Sequence, residues 1–145
     1  MFKNYQYQYD QVDWLTAAGE IMDIRQKVFV IEQRFDKEVV CDKHDHDCFH
    51  ILVSDKNGES VGCGRLVGDG KIGKIAVLIN HRGHGIGTNI LAELINIAEI
   101  RHIENLILNA EKELTPFYDQ QEFHADGPVY MKSGVPYQRM SKRLA

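Results

Sequence analysis

Side chains that commonly bind metals are concentrated in one stretch of the chain, CDKHDHDCFH, which runs from Cys41 to His50. The stretch holds two cysteines, three histidines and three aspartates. Zinc in proteins is held tetrahedrally by four thiolate, imidazole or carboxylate groups that converge on one point. One alternative is therefore a zinc-binding protein that uses Cys41, His44, Cys48 and His50.

The spacing within this stretch argues against a zinc site. The residues from Cys48 onwards alternate like a strand, so Cys48 and His50 point one way while Phe49 points the other. His44 and His46 could join them only if the preceding loop folds back, and the spacing matches no known zinc finger or ribbon. We therefore predict no metal-binding residues.

A second stretch suited to chemistry is the glycine-rich loop HRGHGIGTN, residues 81–89. Glycines let the backbone approach a ligand closely, and a helix that begins in such a loop offers free N–H groups to a phosphate or pyrophosphate. The loop is not a P-loop, which ends in Gly-Lys-Ser/Thr, and it lacks the third glycine of the dinucleotide fingerprint. The residues of the loop leave a purely structural role open.

Composition narrows the class of protein. The 145 residues are 43% hydrophobic and 26% charged, which fits a single domain over residues 1–145. The formal charge of −4 gives no general attraction to nucleic acid. No stretch approaches the roughly 20 apolar residues that span a membrane. Three cysteines, an odd number, fit a reducing compartment, so we expect a cytoplasmic protein.

Periodicity predicts the elements that must position these residues. Alternation predicts a strand over 5–10, and three more over 48–54, 59–67 and 71–79, joined by the turns Asn57-Gly58 and Gly68 to Gly70. These three strands form an antiparallel meander. Helical spacing predicts a first helix over 14–30, with Leu15, Ala18, Met22 and Val28 on one face.

The second half of the chain predicts a crossover. A helix over 86–102 follows the glycine loop, and the β-rich segment 105–111 is its parallel partner strand. A short helix over 113–120 and two strands, near 122–126 and 137–144, complete the chain. The class is α+β with a mixed sheet.

The order of these motifs resembles the GNAT N-acetyltransferase superfamily. The strand KIAVLI followed by Arg82-x-x-Gly85-x-Gly87 resembles the acetyl-CoA signature, and Asn109-Ala110, Phe117-Tyr118 and the terminal GVPYQRM follow in the family's order. RQKVFVIEQ, residues 25–33, and CGRL are similar to segments of small bacterial GNAT proteins. The resemblance covers most of the chain.

The resemblance implies the GNAT acyl-CoA N-acyltransferase fold, a mixed, mostly antiparallel sheet with splayed parallel central strands and flanking helices. It also implies acetyl-CoA as cosubstrate, with backbone amides of the loop around the pyrophosphate and three strand residues beside the pantetheine. The residues expected to bind it are Ile75, Ala76, Val77, Arg82, Gly83, His84, Gly85, Ile86, Gly87, Thr88, Asn109, Phe117 and Tyr118.

By the same resemblance, the activity is direct transfer of the acetyl group to a primary amine through a ternary complex. The Val77 N–H would hold the oxyanion, Tyr118 would protonate the leaving thiolate, and His50 is a candidate proton acceptor. The other candidate bases are Glu32, Asp45 and Asp47, and water could serve instead. The acidic loop 42–47 favours a small cationic acceptor.

The sequence departs from the family at two places. Glu122 stands where glycine is common after Phe117-Tyr118, and Tyr137 stands where many relatives have a terminal histidine. These departures put in doubt a role for a terminal histidine. Separately, a second alternative is an acyl-CoA-binding sensor without transferase activity, against which Tyr118 at the catalytic position argues. In either case the aspartates and histidines of 41–50 are interpreted as a polar rim beside the cleft. Because GNAT proteins commonly form dimers, the resemblance also implies a homodimer.

Overall fold

The computed structural model describes residues 6–144, so Tyr5, the first residue of the predicted initial strand, lies outside the described residues. The elements are, in order, β1 (Tyr7–Val12), α1 (Trp14–Arg25), β2 (Phe49–Asp55), β3 (Ser60–Leu66), β4 (Ile72–Val77), α2 (Ile86–Ile100), β5 (Asn105–Glu111), α3 (Thr115–Asp119), β6 (His124–Ala125), β7 (Tyr130–Lys132) and β8 (Val135–Arg143). No helix of this part of the chain has the length and apolar character needed to cross a membrane.

The strands form two sheets. In the first, β1, β2, β3 and β4 are neighbours in that order and all pairs are antiparallel, which confirms the predicted meander. In the second, β8 lies between β5 and β6 and also pairs with β7. The mixed α+β class is confirmed.

The two sheets meet at one end of β4 and β5. A single parallel bridge joins Lys71 to Ile107, and the Ile107 N–H donates to the Gly70 carbonyl at 3.0 Å. Gly70 has a φ of +104°, and a Cβ there would collide with the Asn105 carbonyl oxygen, so this junction requires glycine. Beyond it, β4 and β5 separate and leave a gap.

Helix α1 presents a different face from the one predicted. Leu15 is 87% exposed, and Ala18 and Met22 are only partly buried. The Asp13 side chain accepts from the Thr16 N–H at 2.9 Å and fixes the helix start. The buried face then follows i, i+3, i+7 spacing from Trp14 and consists of Trp14, Ala17, Ile21, Ile24 and Arg25.

The chain does not continue as an α-helix to Val30. After Arg25 it forms a π-helical segment, Gln26–Glu32, in which Gln33 N–H donates to the Val28 carbonyl at 3.1 Å. The wider turn places Val28 and Gln33 on the same side of the segment. Both residues line the larger cavity described below.

Helix α2, Ile86–Ile100, confirms the helix predicted over 86–102. Its buried residues are Ile86, Ile90, Leu91, Leu94, Ile97 and Ala98, and Ile95 is partly buried. They share one hydrophobic cluster with residues from both sheets, among them Val53, Leu106 and Met140. The helix therefore holds the two sheets together on one side of the gap between β4 and β5.

The C-terminal part differs from the prediction in its turns. The segment 127–136 was expected to be a loop, but it contains β7, which pairs with the start of β8, and β8 begins at Val135. Gly134, with a φ of +79°, supplies the turn of this hairpin. The strand expected near 122–126 is reduced to His124–Ala125.

Candidate active site

A cavity of about 450 Å³ lies beside the glycine loop, at the start of α2. Ten of the residues expected to bind acetyl-CoA line it: Ile75, Ala76, Val77, Arg82, Gly83, Gly85, Ile86, Gly87, Thr88 and Phe117. The sequence did not indicate four other lining residues, Val28, Gln33, His81 and Leu114. Val28 comes from the π-helical segment, within the range where an α-helix was expected, and Gln33 follows at the end of that segment.

The loop has the backbone geometry of an anion cradle. Gly83 and Gly85 have φ values of +82° and +77°, and a Cβ on either would meet nothing within 4 Å. Gly85 is the N-cap of the fifteen-residue α2, and the first helical bond runs from Asn89 N–H to its carbonyl. The N–H groups of Ile86 to Thr88 therefore lack helical acceptors and carry the positive end of the helix dipole.

The side chains of Arg82 and His84, both expected to bind acetyl-CoA, contact other parts of the protein. Arg82 Nε donates to the Val77 carbonyl at 3.0 Å, and its guanidinium binds both Glu32 oxygens at 2.6 and 2.7 Å. These bonds hold the loop against β4 and the π-helical segment. The His84 ring lies beside the Tyr7 ring, at 5.9 Å between centroids, and does not line the cavity.

A second cavity, of about 190 Å³, opens on the gap between β4 and β5. It shares Gln33, Ile75 and Leu114 with the first cavity, so the two adjoin. Its lining includes the expected Asn109 and Tyr118, together with residues that the sequence did not indicate: Phe29, Phe35, Ile72, Gly73, Lys74, Leu108, Ala110, Glu111 and Tyr137.

A bulge in β4 brings Lys74 to this cavity. Cys63 faces Ala76 and Arg65 faces Gly73, so two steps along β3 correspond to three along β4. Lys74 occupies the extra position with a φ of +50°, which is left-handed backbone at a residue other than glycine. The regular apolar pattern of residues 71–79 gave no sign of the extra residue.

Phe117 and Tyr118 divide between the two cavities. Phe117 lines the larger one and Tyr118 the smaller one, and their rings form an edge-to-face pair with centroids 4.9 Å apart. The Tyr118 ring also packs edge-on against Phe123, which is fully buried. Burial raises the pKa of the Tyr118 phenol above its ordinary value, so the hydroxyl stays protonated at neutral pH.

The structure does not bring His50 to either cavity. Its side chain is buried, its ring lies 5.3 Å from that of Trp14, and Nε2 is 2.8 Å from the Asp45 carbonyl oxygen. Burial, as the largest cause, lowers the pKa of His50. His50 was a candidate proton acceptor, with plain sheet surface as the alternative, and the structure places it in neither position, because the loop 41–48 folds over it.

The acidic loop is bound internally. The Asp45 carboxylate accepts from Arg25 at 3.0 and 3.1 Å and from Arg65 at 2.9 Å. Asp42 accepts from Arg65 at 2.7 and 2.8 Å, and Lys74 Nζ donates to the Val39 carbonyl at 2.6 Å. Two of the three loop aspartates are therefore neutralised by arginines, and they do not form the expected rim for a cationic acceptor.

One group of metal-ligand types does form within residues 6–144. Ligand atoms of Asp45, Cys48 and His50 lie within 4.8 Å of one another, whereas Cys41 and His44 are exposed and outside the group. Two guanidinium groups already occupy the Asp45 carboxylate. Burial raises the pKa of the Cys48 thiol to about 11, so this sulfur is neutral. These charges disfavour a cation at the group.

Comparison with known proteins agrees with this architecture. Residues 8–144 match the family model described as "Acetyltransferase (GNAT) domain". The chain is 34% identical over 124 residues to the uncharacterized N-acetyltransferase YjcF of Bacillus subtilis, covering 82% of this chain and 87% of the relative.

Two solved structures show a similar fold. One is an acyl-CoA N-acyltransferase from Pseudomonas aeruginosa, with a TM-score of 0.84, 23% identity, and coverage of 94% of this chain and 99% of that one. The other is an aminoglycoside 6'-N-acetyltransferase complexed with coenzyme A, with a TM-score of 0.75, 15% identity, and coverage of 94% and 96%. At these identities the likeness concerns the fold alone.

Proposed function

The chain belongs to the GNAT family of acetyltransferases and is an acyltransferase, and on that premise we propose that it moves the acetyl group of acetyl-CoA to a primary amine of a small acceptor. The expected family and α+β GNAT fold are confirmed. The observation that carries the proposal is the pair of adjoining cavities along the gap between β4 and β5, one beside the glycine loop and one beside Tyr118.

The larger cavity suits the acetyl-CoA side. The free N–H groups at the start of α2 would bind the pyrophosphate, and no side chain fills the space in front of Gly83 and Gly85. Ile75, Ala76 and Val77 line the path from the loop towards the smaller cavity, where β5 no longer pairs with β4. Unpaired backbone groups along such a gap are available to an extended amide-containing ligand.

The lining residues favour direct transfer. In the part of the chain that the structure describes, neither cavity is lined by a cysteine or a serine that could carry the acetyl group. Cys63, the nearest cysteine to β4 in the sequence, is buried in the core. We therefore propose a ternary complex in which the amine attacks the thioester itself.

In the proposed reaction, the amine nitrogen forms a bond to the acetyl carbonyl carbon and the carbon–sulfur bond breaks. The Val77 N–H would stabilise the oxyanion, and the Tyr118 hydroxyl would give its proton to the departing thiolate. Glu32 and Asp45 are paired with arginines, and His50 is buried, so we assign none of them as the base. Water would carry away the amine proton and restore that of Tyr118.

The proposal is tested by incubating the protein with acetyl-CoA and a panel of primary amines. Thiol release and the mass of the product report transfer, and equilibrium dialysis reports binding of acetyl-CoA. We expect acetyl-CoA-dependent acetylation of at least one amine with stoichiometric thiol release. Tight binding of acetyl-CoA with no transfer to any amine would instead favour an acyl-CoA sensor.

A further inference from the structure

Glu111 is the last residue of β5 and lies directly opposite Tyr137 of β8 in the strand register. Both residues line the smaller cavity. Burial and then the Glu111 charge raise the pKa of the Tyr137 phenol, so carboxylate and ring are close neighbours. Within residues 6–144 the Glu111 carboxylate has no side-chain hydrogen bond or ion pair, although the residue is partly buried.

Glu111 carries the uncompensated charge of this cavity. The other charged lining residue is Lys74, whose ammonium donates to the Val39 carbonyl at 2.6 Å and lies 3.6 Å from an Asp42 oxygen. Four aromatic rings complete the wall: Phe29, Phe35, Tyr118 and Tyr137. A carboxylate among aromatic faces is an environment that attracts ammonium groups.

An ammonium held by Glu111 cannot be the group that is acetylated. The attacking amine must be neutral, and a neighbouring carboxylate favours the charged form and raises the pKa of the amine. A cation at Glu111 therefore belongs to a different part of the acceptor from the reacting nitrogen.

We propose that Glu111 binds a second ammonium group of the acceptor while a separate primary amine of the same molecule reaches the thioester. Small diamines are then the preferred acceptor class. The inference rests on the proposed acetyl transfer and specifies the substrate of the same site. A free amino acid is the weaker candidate. Its carboxylate would need a cationic partner, and the ammonium of Lys74 is already bonded to the Val39 carbonyl and lies close to Asp42.

Three acceptors of matched length separate these cases: 1,4-diaminobutane, 1-aminopentane and 4-aminobutanoate, which place a cation, a methyl group and an anion at the far end. We expect kcat/KM for the diamine to exceed that for the monoamine by about tenfold to a hundredfold, the range of a charge-assisted hydrogen bond. Glu111→Gln should bring this ratio close to one, mainly through KM.

Glu113→Gln is the matched control, because Glu113 is exposed on the 3-10 turn Lys112–Leu114 and lines neither cavity. It should keep the wild-type ratio. The proposal is overturned if Glu111→Gln also keeps the wild-type ratio, or if 4-aminobutanoate is the preferred acceptor.

Binding distinguishes failure of this inference from failure of the proposed function. Titration of 1,4-diaminobutane into protein saturated with coenzyme A should show an affinity that falls at least about tenfold in Glu111→Gln and not in Glu113→Gln. Equal diamine affinity in wild type and Glu111→Gln overturns the role of Glu111. Loss of acetylation of every amine, with selective diamine binding intact, contradicts only the transferase activity. An unchanged acetyl-CoA affinity shows that the variants are folded.

Discussion

Tyr118 presents a neutral phenol to the smaller cavity, since burial raises its pKa above 10.0. A thiol pKa near 8.5 makes the thiolate a good leaving group, so the benefit of protonating it is limited. Tyr118→Phe removes only the O–H, and we expect kcat to fall about tenfold to a hundredfold. The dissociation constant of acetyl-CoA should not change.

Steady-state thiol release measures kcat, and equilibrium dialysis measures the dissociation constant of acetyl-CoA. Tyr130→Phe is the control, because Tyr130 lies on β7 and lines neither cavity. If kcat with a good amine stays at the wild-type value in Tyr118→Phe, this residue has no part in the chemistry.

The stretch Cys41–His50 shows what residue types alone can predict. Its residue types suggested a metal site and its spacing argued against one, but neither indicated the partners of its aspartates, which lie on other elements. Arg25 comes from α1 and Arg65 from β3, 16 and 24 positions away from Cys41 in the sequence. Pairing over such separations depends on how the elements pack, which periodicity does not report.

The ion pairs of Arg25 and Arg65 with Asp45 predict that substitution of Asp45 lowers stability much more than substitution of the nearby Asp47. Asp45→Asn leaves Arg25 and Arg65 buried with less compensating charge, and we expect the free energy of unfolding to fall by about 3–5 kcal/mol. Asp47→Asn changes an exposed side chain and should cost under about 0.5 kcal/mol. Urea unfolding measures both. Equal stability of the two variants would show that the buried pairs contribute nothing specific.

At the scale of elements, the glycine loop offers a test in which backbone strain is matched. Gly83, beside the larger cavity, and Gly58, in the turn between β2 and β3, both have a φ of +82° and open space around a Cβ. Alanine at either position should cost about 1–2 kcal/mol of stability through left-handed strain. Only Gly83→Ala should also weaken acetyl-CoA binding, by at least about tenfold, because its methyl group enters the cradle.

Calorimetric titration measures the affinity of both variants for acetyl-CoA, and urea unfolding measures their stability. An equal loss of acetyl-CoA affinity in Gly58→Ala would mean that strain alone weakens binding. An unchanged affinity in Gly83→Ala would place the pyrophosphate elsewhere.

The elements that the sequence failed to predict are those in which the backbone leaves its regular period. The bulge at Lys74, the π-helical segment Gln26–Glu32 and the strand β7 each depend on a local change of hydrogen bonding. The elements β5 and α2, in which the periodicity is sustained, lie close to their predicted ranges. The irregular segments matter for function, because two of them line the cavities.

At the scale of the whole molecule, the order of the elements was predictable and the shape of the gap was not. The crossover from β4 through α2 to β5 followed from loop and helix lengths. The single parallel bridge, Lys71 to Ile107, requires glycine at position 70, because a Cβ there would collide with the Asn105 carbonyl oxygen, and beyond this bridge β4 and β5 separate. Both cavities, and with them the role proposed for Glu111, arise from this separation.

The burial of His50 predicts how the stability of the molecule changes with pH. Burial lowers its pKa below the ordinary value of 6.5, and the charges of Arg25 and Arg65 add to this against the opposing effect of Asp45. The unfolded chain therefore takes up a proton near pH 6.5 more readily than the folded one. The stability contributed by neutral His50 is complete above pH 6.5 and is lost as the pH falls towards the folded pKa.

The aspartates act at lower pH. Hydrogen bonds from Arg65 hold the pKa of Asp42 well below its usual range, and the pKa of Asp45 is also lowered, despite its burial, by Arg25. Their contribution is present above the unfolded value near 3.9 and is lost only as the pH falls below it. Acid should therefore destabilise the protein in two stages.

Urea unfolding at intervals from pH 7.5 to pH 3 separates the stages. We expect His50→Gln to flatten the decline between about pH 7 and pH 5 and to leave the decline below about pH 4 in place. His46→Gln is the control, since His46 is exposed and should keep both stages. If His50→Gln retains the wild-type slope between pH 7 and pH 5, protonation of another group causes that loss, because a glutamine cannot titrate in this range.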